Sequence, residues 1–102
     1  TTLASYAIPA DSVVSVRADV LALSSGDVRA VWRLEASAGP LASALDLVGG
    51  VTSAIDRDIA ALGWNATLDV DGDNIRVRVD GAASTTIDWM ARLQVAIFTP
   101  GA

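Results

Sequence analysis

Two long segments of alternating apolar and polar residues are the feature that most restricts how this chain can fold. Every second residue is apolar from residue 14 to 22, and the same period of two returns from residue 28 to 36. A period of two places alternate side chains on opposite faces of a strand, so each segment predicts a strand with one buried face. The intervening "SSGD" at residues 24–27 supplies turn residues. We therefore expect the two strands to pair as a hairpin.

The last third of the chain repeats this pattern. Alternation runs from Trp64 to Val70 and from Ile75 to Val79 with "DGDN" between them, and "GAAS" precedes a final alternating run from Ile87 to Ile97. These three segments predict three strands arranged as a meander.

Residues 37–63 mix Gly and Pro with short apolar pieces. We predict short strands near residues 42–48 and 51–55, followed by a loop. A helical turn around residues 56–62 is the alternative, because Ile55, Ile59 and Leu62 are spaced for one helical face.

Seven or eight short strands with little helix favour an all-β fold, and we expect an antiparallel β-sandwich. The 102 residues suit one domain, residues 1–102. No uninterrupted apolar run reaches the ~18 residues that a membrane span needs. The net charge of -5 disfavours nucleic acid as a partner, because it repels the phosphate backbone. The chain has no cysteine, so disulfides are excluded.

Catalytic chemistry has few candidates in this sequence. With no histidine, the usual general base and the imidazole metal ligands are missing. Two carboxylate pairs, Asp56 with Asp58 and Asp46 with Asp69, have the residue types of a glycosidase acid and nucleophile. Solvated loop carboxylates are far commoner than catalytic pairs, so we expect no enzyme, no catalytic residue and no cofactor.

The sequence "DVDGDN" at residues 69–74 begins like a calcium-binding loop, with Asp69, Asp71 and Asp73 at the first, third and fifth positions. Asp80 falls at the twelfth position. The glycine required at the sixth is replaced by Asn74, and two arginines, Arg76 and Arg78, would lie inside the loop. We interpret the segment as a hairpin turn and predict no metal site.

The three tryptophans are candidates for a sugar-stacking surface, since an exposed indole binds the apolar side of a pyranose. Trp32 and Trp89 share a strand face with other apolar residues, which predicts that they lie in the core. Trp64 begins its strand and is the best placed at an edge, but the core is also the expected position for it.

Several strands carry apolar residues on the nominally outward face as well. Because these residues recur on neighbouring segments, we expect this outer face to be buried against identical subunits, although single exposed apolar residues are common. The outward residues are Val13, Leu21, Leu23, Val31, Met90, Ala96 and Phe98.

Two stretches resemble a family of β-sandwich domains from tailed-phage fibre, tail-spike and related virion proteins. "WNATLDVDGDNIRVRVDGAASTTIDWMARLQV", residues 64–95, is similar to the closing segment of these domains, and "YAIPADSVVSVRADVLALSSGDVRAVWRLEA", residues 6–36, to their opening strands. The resemblance implies a jelly-roll-like sandwich in a non-enzymatic virion protein that is assembled in the bacterial host cytoplasm.

The resemblance further implies a homotrimer that binds a host-surface glycan, or alternatively a capsid or tail decoration or adaptor protein that contacts only other virion proteins. Its motifs define no ligand-binding residues. A binding site is expected on the loops at the ends of the sandwich or between subunits.

Overall fold

A computed structural model describes residues 1–41, 44–82 and 85–100, and within them the chain forms seven β-strands. One short 3-10 helix, Ile59–Ala61, accompanies them, and no helix in these ranges is long and apolar enough to cross a membrane. The strands are β1 (Thr2–Ala7), β2 (Val13–Ser24), β3 (Arg29–Leu41), β4 (Ala44–Arg57), β5 (Asn65–Asp71), β6 (Asn74–Asp80) and β7 (Ile87–Phe98).

The strands form two antiparallel sheets that face each other. One sheet has the order β1-β6-β5 and the other the order β4-β3-β2-β7. Across the interior, β5 contacts β3 and β4, and β1 contacts β7. The predicted sandwich is thus confirmed. In the four-stranded sheet β2, β3 and β4 follow one another and β7 returns beside β2, which is the Greek-key order from which jelly rolls are built.

The core lies between the two sheets and follows the predicted alternation. In β2 the residues from Val14 to Ala22 on the inner face are buried, and their outward neighbours are mostly exposed. The inner faces of β3, β5 and β6 are buried in the same way, with Trp32, Leu34 and Val77 almost fully enclosed. Each large apolar side chain buried here contributes about 1.5–3 kcal/mol relative to an exposed position.

The N-terminal strand β1 was not predicted. Its segment "TLASYA" has a weak apolar alternation, and its side chains are half-buried or exposed because β1 lies at a sheet edge. Pairing with β6 therefore specifies this strand more strongly than its own pattern does. The predicted number of strands is nevertheless correct, because another region contributes one strand where two were expected.

That region is β4. The two short strands predicted near residues 42–48 and 51–55 are one strand, Ala44–Arg57, with a bulge; residues 42 and 43 lie outside the described residues. Residues 49–51 lie opposite the single residue Ala36, and Gly49 has a φ of 73°. Such a left-handed residue lets the strand bend and continue, so the glycines that signalled a break instead mark a bulge.

The predicted C-terminal meander is correct for the pairing of β5 with β6 but wrong for β7, which pairs with β2 and not with β6. β6 already has β1 on one side and β5 on the other, which leaves no edge for β7. The chain therefore crosses to the other sheet after Asp80.

The alternative helical turn is present only as the 3-10 turn at Ile59–Ala61. The prediction that Ile55, Ile59 and Leu62 form one buried helical face is also wrong. Ile59 and Leu62 are exposed, and Ala61 is the buried residue of this turn. β4 extends to Arg57, so too few residues remain before Trp64 for an α-helical face to form.

The bulge gives a stability prediction with an internal control. A Cβ added at Gly49 or at Gly50 meets no atom within 4 Å, and only Gly49 has positive φ. We expect Gly49→Ala to lower the free energy of unfolding by about 1 kcal/mol, and Gly50→Ala to leave it nearly unchanged. Urea denaturation of both variants measures the difference; equal effects would show that the backbone at Gly49 is not strained by a side chain.

Candidate functional site

The outward apolar residues that the sequence predicts lie on the outer face of the four-stranded sheet. The strand register places Leu21 of β2 directly between Val31 of β3 and Met90 of β7. Leu23 lies in the next cross-strand row, between Arg29 and Asp88. We call Leu21, Leu23, Val31 and Met90 the apolar patch.

The apolar patch is open to solvent. Leu21, Leu23 and Met90 are 41%, 47% and 62% exposed, and Val31 is half-buried. Together with neighbouring atoms of Arg29 and Asp88 the patch lines a shallow depression of about 460 Å³. Contiguous apolar residues on three adjacent strands, rimmed by charge, are typical of a protein-binding surface.

Three ion pairs lie along the rim of the patch, and each joins a residue of β3 or β7 to a neighbouring segment. Such exposed pairs add little to stability, but they fix the charge pattern of the rim. Asp88, in contrast, has no ion-pair partner among the residues that the structure describes. The pairs are Arg29–Asp58, Arg33–Asp56 and Arg92–Asp19, with nitrogen–oxygen distances of 3.2, 2.9 and 3.3 Å.

A second apolar group lies at the other end of the same face, beyond a charged row that contains the Arg17–Glu35 pair. Val13 is paired with Phe98 there, and both are exposed. Every outward apolar residue predicted from the sequence thus does point outward. Val48, which is also exposed at this end, was missed because the bulge hides the register of β4.

The tryptophans lie in the core, as predicted. Trp32 and Trp64 are buried and Trp89 is half-buried. The ring centroids of Trp32 and Trp89 are 5.5 Å apart, and those of Trp64 and Trp89 are 6.3 Å apart. This cluster joins the two sheets, so the indole faces are used in packing.

A cleft of about 310 Å³ lies at the end of the sandwich where β1 joins β2. Its lining includes Asp11 and Asp73, and the Ile8 amide donates to the Asp73 carbonyl at 2.9 Å. No aromatic side chain of the described residues lines it. The exposed aromatics Tyr6 and Phe98 belong to strand ends at the same end of the molecule.

The four aspartates of the two carboxylate pairs considered from the sequence each make another contact. Asp46 and Asp69 alternate with inward-facing leucines on opposite sheets, so their side chains point away from each other on the two outer faces. Asp56 and Asp58 are each hydrogen-bonded to an arginine of β3. The hydrogen bond from Arg29 lowers the pKa of Asp58, whereas a general acid requires a raised pKa.

The "DVDGDN" segment is a hairpin turn, in agreement with our interpretation. Asp71 and Asn74 pair at the ends of β5 and β6, and Gly72 has a φ of 59° at the first central position, as a type II′ turn requires. Asp69 accepts hydrogen bonds from Arg76 through both carboxylate oxygens, at 2.8 and 3.0 Å. Among the described residues no three carboxylates form a group that could hold a metal.

Comparisons with protein-family models, with curated proteins and with solved structures found no match. No match therefore links the chain to virion proteins, and that resemblance rests on the sequence stretches quoted above.

The Asp69–Arg76 contact predicts a pH dependence of stability. The Arg76 hydrogen bonds lower the pKa of Asp69, so the contact stabilises the fold above the unfolded carboxyl pKa of about 3.9 and is lost as pH falls through the folded value. Arg76→Gln should therefore destabilise the fold more at pH 7 than near pH ~3, where protonation of Asp69 weakens the contact.

Urea denaturation at both pH values measures this difference, and NMR of the Asp69 carboxyl carbon follows its titration. Arg17→Gln, which removes an exposed ion pair on the other sheet, is the control and should leave the Asp69 titration unchanged. A destabilisation by Arg76→Gln that is the same at both pH values would contradict the assignment.

Proposed function

We propose that this domain is a non-enzymatic structural subunit that assembles with other protein subunits through the outer face of its four-stranded sheet. The observation that carries this proposal is the apolar patch. Its four side chains come from three adjacent strands, and in the single chain three of them are exposed and Val31 is half-buried.

The energetics of the patch support a protein partner. Full burial of one Leu or Met side chain contributes about 1.5–3 kcal/mol, and an apolar centre with a charged rim is the usual construction of an interface. The core residues Trp32, Leu34 and Val77 are enclosed between the two sheets without any contribution from the patch, which lies on the outer face.

The resemblance to tailed-phage domains supplies the biological setting of the proposal: a virion component, assembled in the host cytoplasm, whose partners are copies of itself and other virion proteins. Within that setting a decoration or adaptor role is better supported than glycan binding. The tryptophans that could have stacked on a sugar are packed against one another.

Binding of a host-surface glycan is the second candidate. It is favoured by Tyr6 and Phe98, which are 44% and 65% exposed near the end cleft. A glycan array tests it directly: binding that is lost on Phe98→Ala and on Tyr6→Ala supports this role, and an array without hits removes it.

Association of subunits gives the test of the main proposal. Leu21→Asp places a charge in the centre of the patch and should weaken association about 10–100-fold, because a buried leucine is lost and a carboxylate is desolvated. Ser15→Asp adds the same charge on the same strand and face outside the patch, and should leave association unchanged.

Sedimentation equilibrium of the wild-type chain and both variants reads out the mass, with circular dichroism as the check of folding. The proposal requires a wild-type mass above the 10.5 kDa of one chain and a lower mass for Leu21→Asp only. A monomeric wild type would contradict it, and the number of subunits tests the homotrimer that the resemblance implies.

A further inference from the structure

The strand β7 forms a long sheet edge that lacks the proline, the bulge and the inward-pointing charge by which such edges are often protected. β7 pairs with β2 from Ile87 to Phe98 without any shift in register, and it contains neither proline nor glycine. Within the described residues its other edge pairs with no strand. The remaining edges are less suitable for pairing, because β1 and β5 are short and β4 is interrupted by its bulge.

The core is also incompletely covered along this edge. The inward-facing side chains from Ile87 to Val95 on β7 are only half-buried, whereas the residues opposite them on β2 are buried. An additional strand beside β7 would cover these apolar side chains and pair the free backbone groups.

From the charges along β7 we infer that this edge pairs antiparallel with β7 of a second copy, around a two-fold axis at Met90. In this register Asp88 lies opposite Arg92 of the second copy, and Arg92 lies opposite Asp88 of the second copy. Opposite charges face each other twice. Asp88, which has no ion-pair partner among the described residues of its own chain, gains one.

Other two-fold registers are less favourable. An axis at Asp88 or at Arg92 places that residue opposite its own copy, so that like charges meet. An axis at Leu93 gives a longer overlap but places Asp88 opposite Phe98 and leaves its charge unpaired. The Met90 axis also keeps apolar residues together on the inner face, with Trp89 opposite Ala91 and Ile87 opposite Leu93 of the second copy.

The pairing would join the two apolar patches. Met90 is the end of the row Val31–Leu21–Met90, and on the axis it meets Met90 of the second copy. The result is one apolar strip across a continuous eight-stranded sheet. The inference rests on the proposed role as an assembling subunit and specifies one of its contacts: an isologous pair, which contains two copies and not three.

Cross-linking tests the register. The chain has no cysteine, so Met90→Cys introduces a single thiol. Directly opposite residues of an antiparallel pair have Cα atoms roughly 4.5–5.5 Å apart, within the range that a disulfide spans. Met90→Cys should therefore give a covalent dimer under mild oxidation. Gln94→Cys is the control, since this register separates Gln94 from its copy by roughly 27 Å at about 3.4 Å per residue.

Charge exchange tests the pairing without a cross-link. Asp88→Arg alone and Arg92→Asp alone each place like charges opposite one another twice, and each should weaken dimerisation roughly tenfold or more. An equimolar mixture of the two variants restores both opposite-charge pairs, so it should form a heterodimer of wild-type strength. Sedimentation velocity measures all three samples.

These outcomes separate the edge contact from the proposed function. Cross-linking at Gln94 instead of Met90, or a mixture that associates no better than its components, would overturn the edge pairing. If the wild type is multimeric and only Leu21→Asp reduces its mass, assembly stands and the edge pairing fails. A wild type that is monomeric and a Met90→Cys chain that does not cross-link would overturn both.

Discussion

The pairing of β2 with β3 on one side and with β7 on the other sets both faces of the four-stranded sheet at once. Because side chains alternate along a strand, the register that encloses Val16 and Val20 also places Leu21 outward between Val31 and Met90. A slip of one residue would exchange the two faces and expose the core. The burial of the inner face therefore determines which residues face outward. The position of the apolar patch depends on the same strand register as the core.

The tryptophan cluster completes this arrangement by fixing the two sheets to each other. Trp64 precedes β5, Trp32 lies on β3 and Trp89 on β7, so three segments that are distant in sequence meet in one contact. Trp89 is the least enclosed of the three because β7 is an edge strand. A further strand paired with β7 would cover Trp89 and complete the burial of the cluster.

Most of the strands could be predicted from the alternation of apolar and polar residues. A strand with one buried face has apolar residues at every second position, and this pattern is visible in the sequence. It located β2, β3, β5, β6 and β7 and the outward apolar residues of the candidate site. It also predicted that β2 would pair with β3 and β5 with β6. It could not predict the neighbour of β7, because the crossing of β7 follows from the position of β1, whose own pattern is weak.

The remaining differences have local causes. Gly49 resembles a strand end but forms a bulge, and this concealed both the length of β4 and the place of Val48 on the outer face. The sequence spacing of the aspartates is the basis for considering them as catalytic or calcium-binding residues. Their actual hydrogen-bond partners depend on which strands are neighbours. Asp69, Asp56 and Asp58 each face an arginine on a neighbouring strand, and no sequence spacing reveals that contact.

The central claim is that subunits meet on the face that carries Leu21 and Met90. Met90 is the only methionine in the chain, so its methyl signal in an NMR spectrum is assigned without ambiguity. We predict that this signal and the Leu21 methyl signals shift or broaden as the protein concentration rises, while those of Thr67, on the outer face of the other sheet, do not. Methyl signals of Leu21 and Met90 that stay unchanged from micromolar to millimolar concentration would contradict the claim.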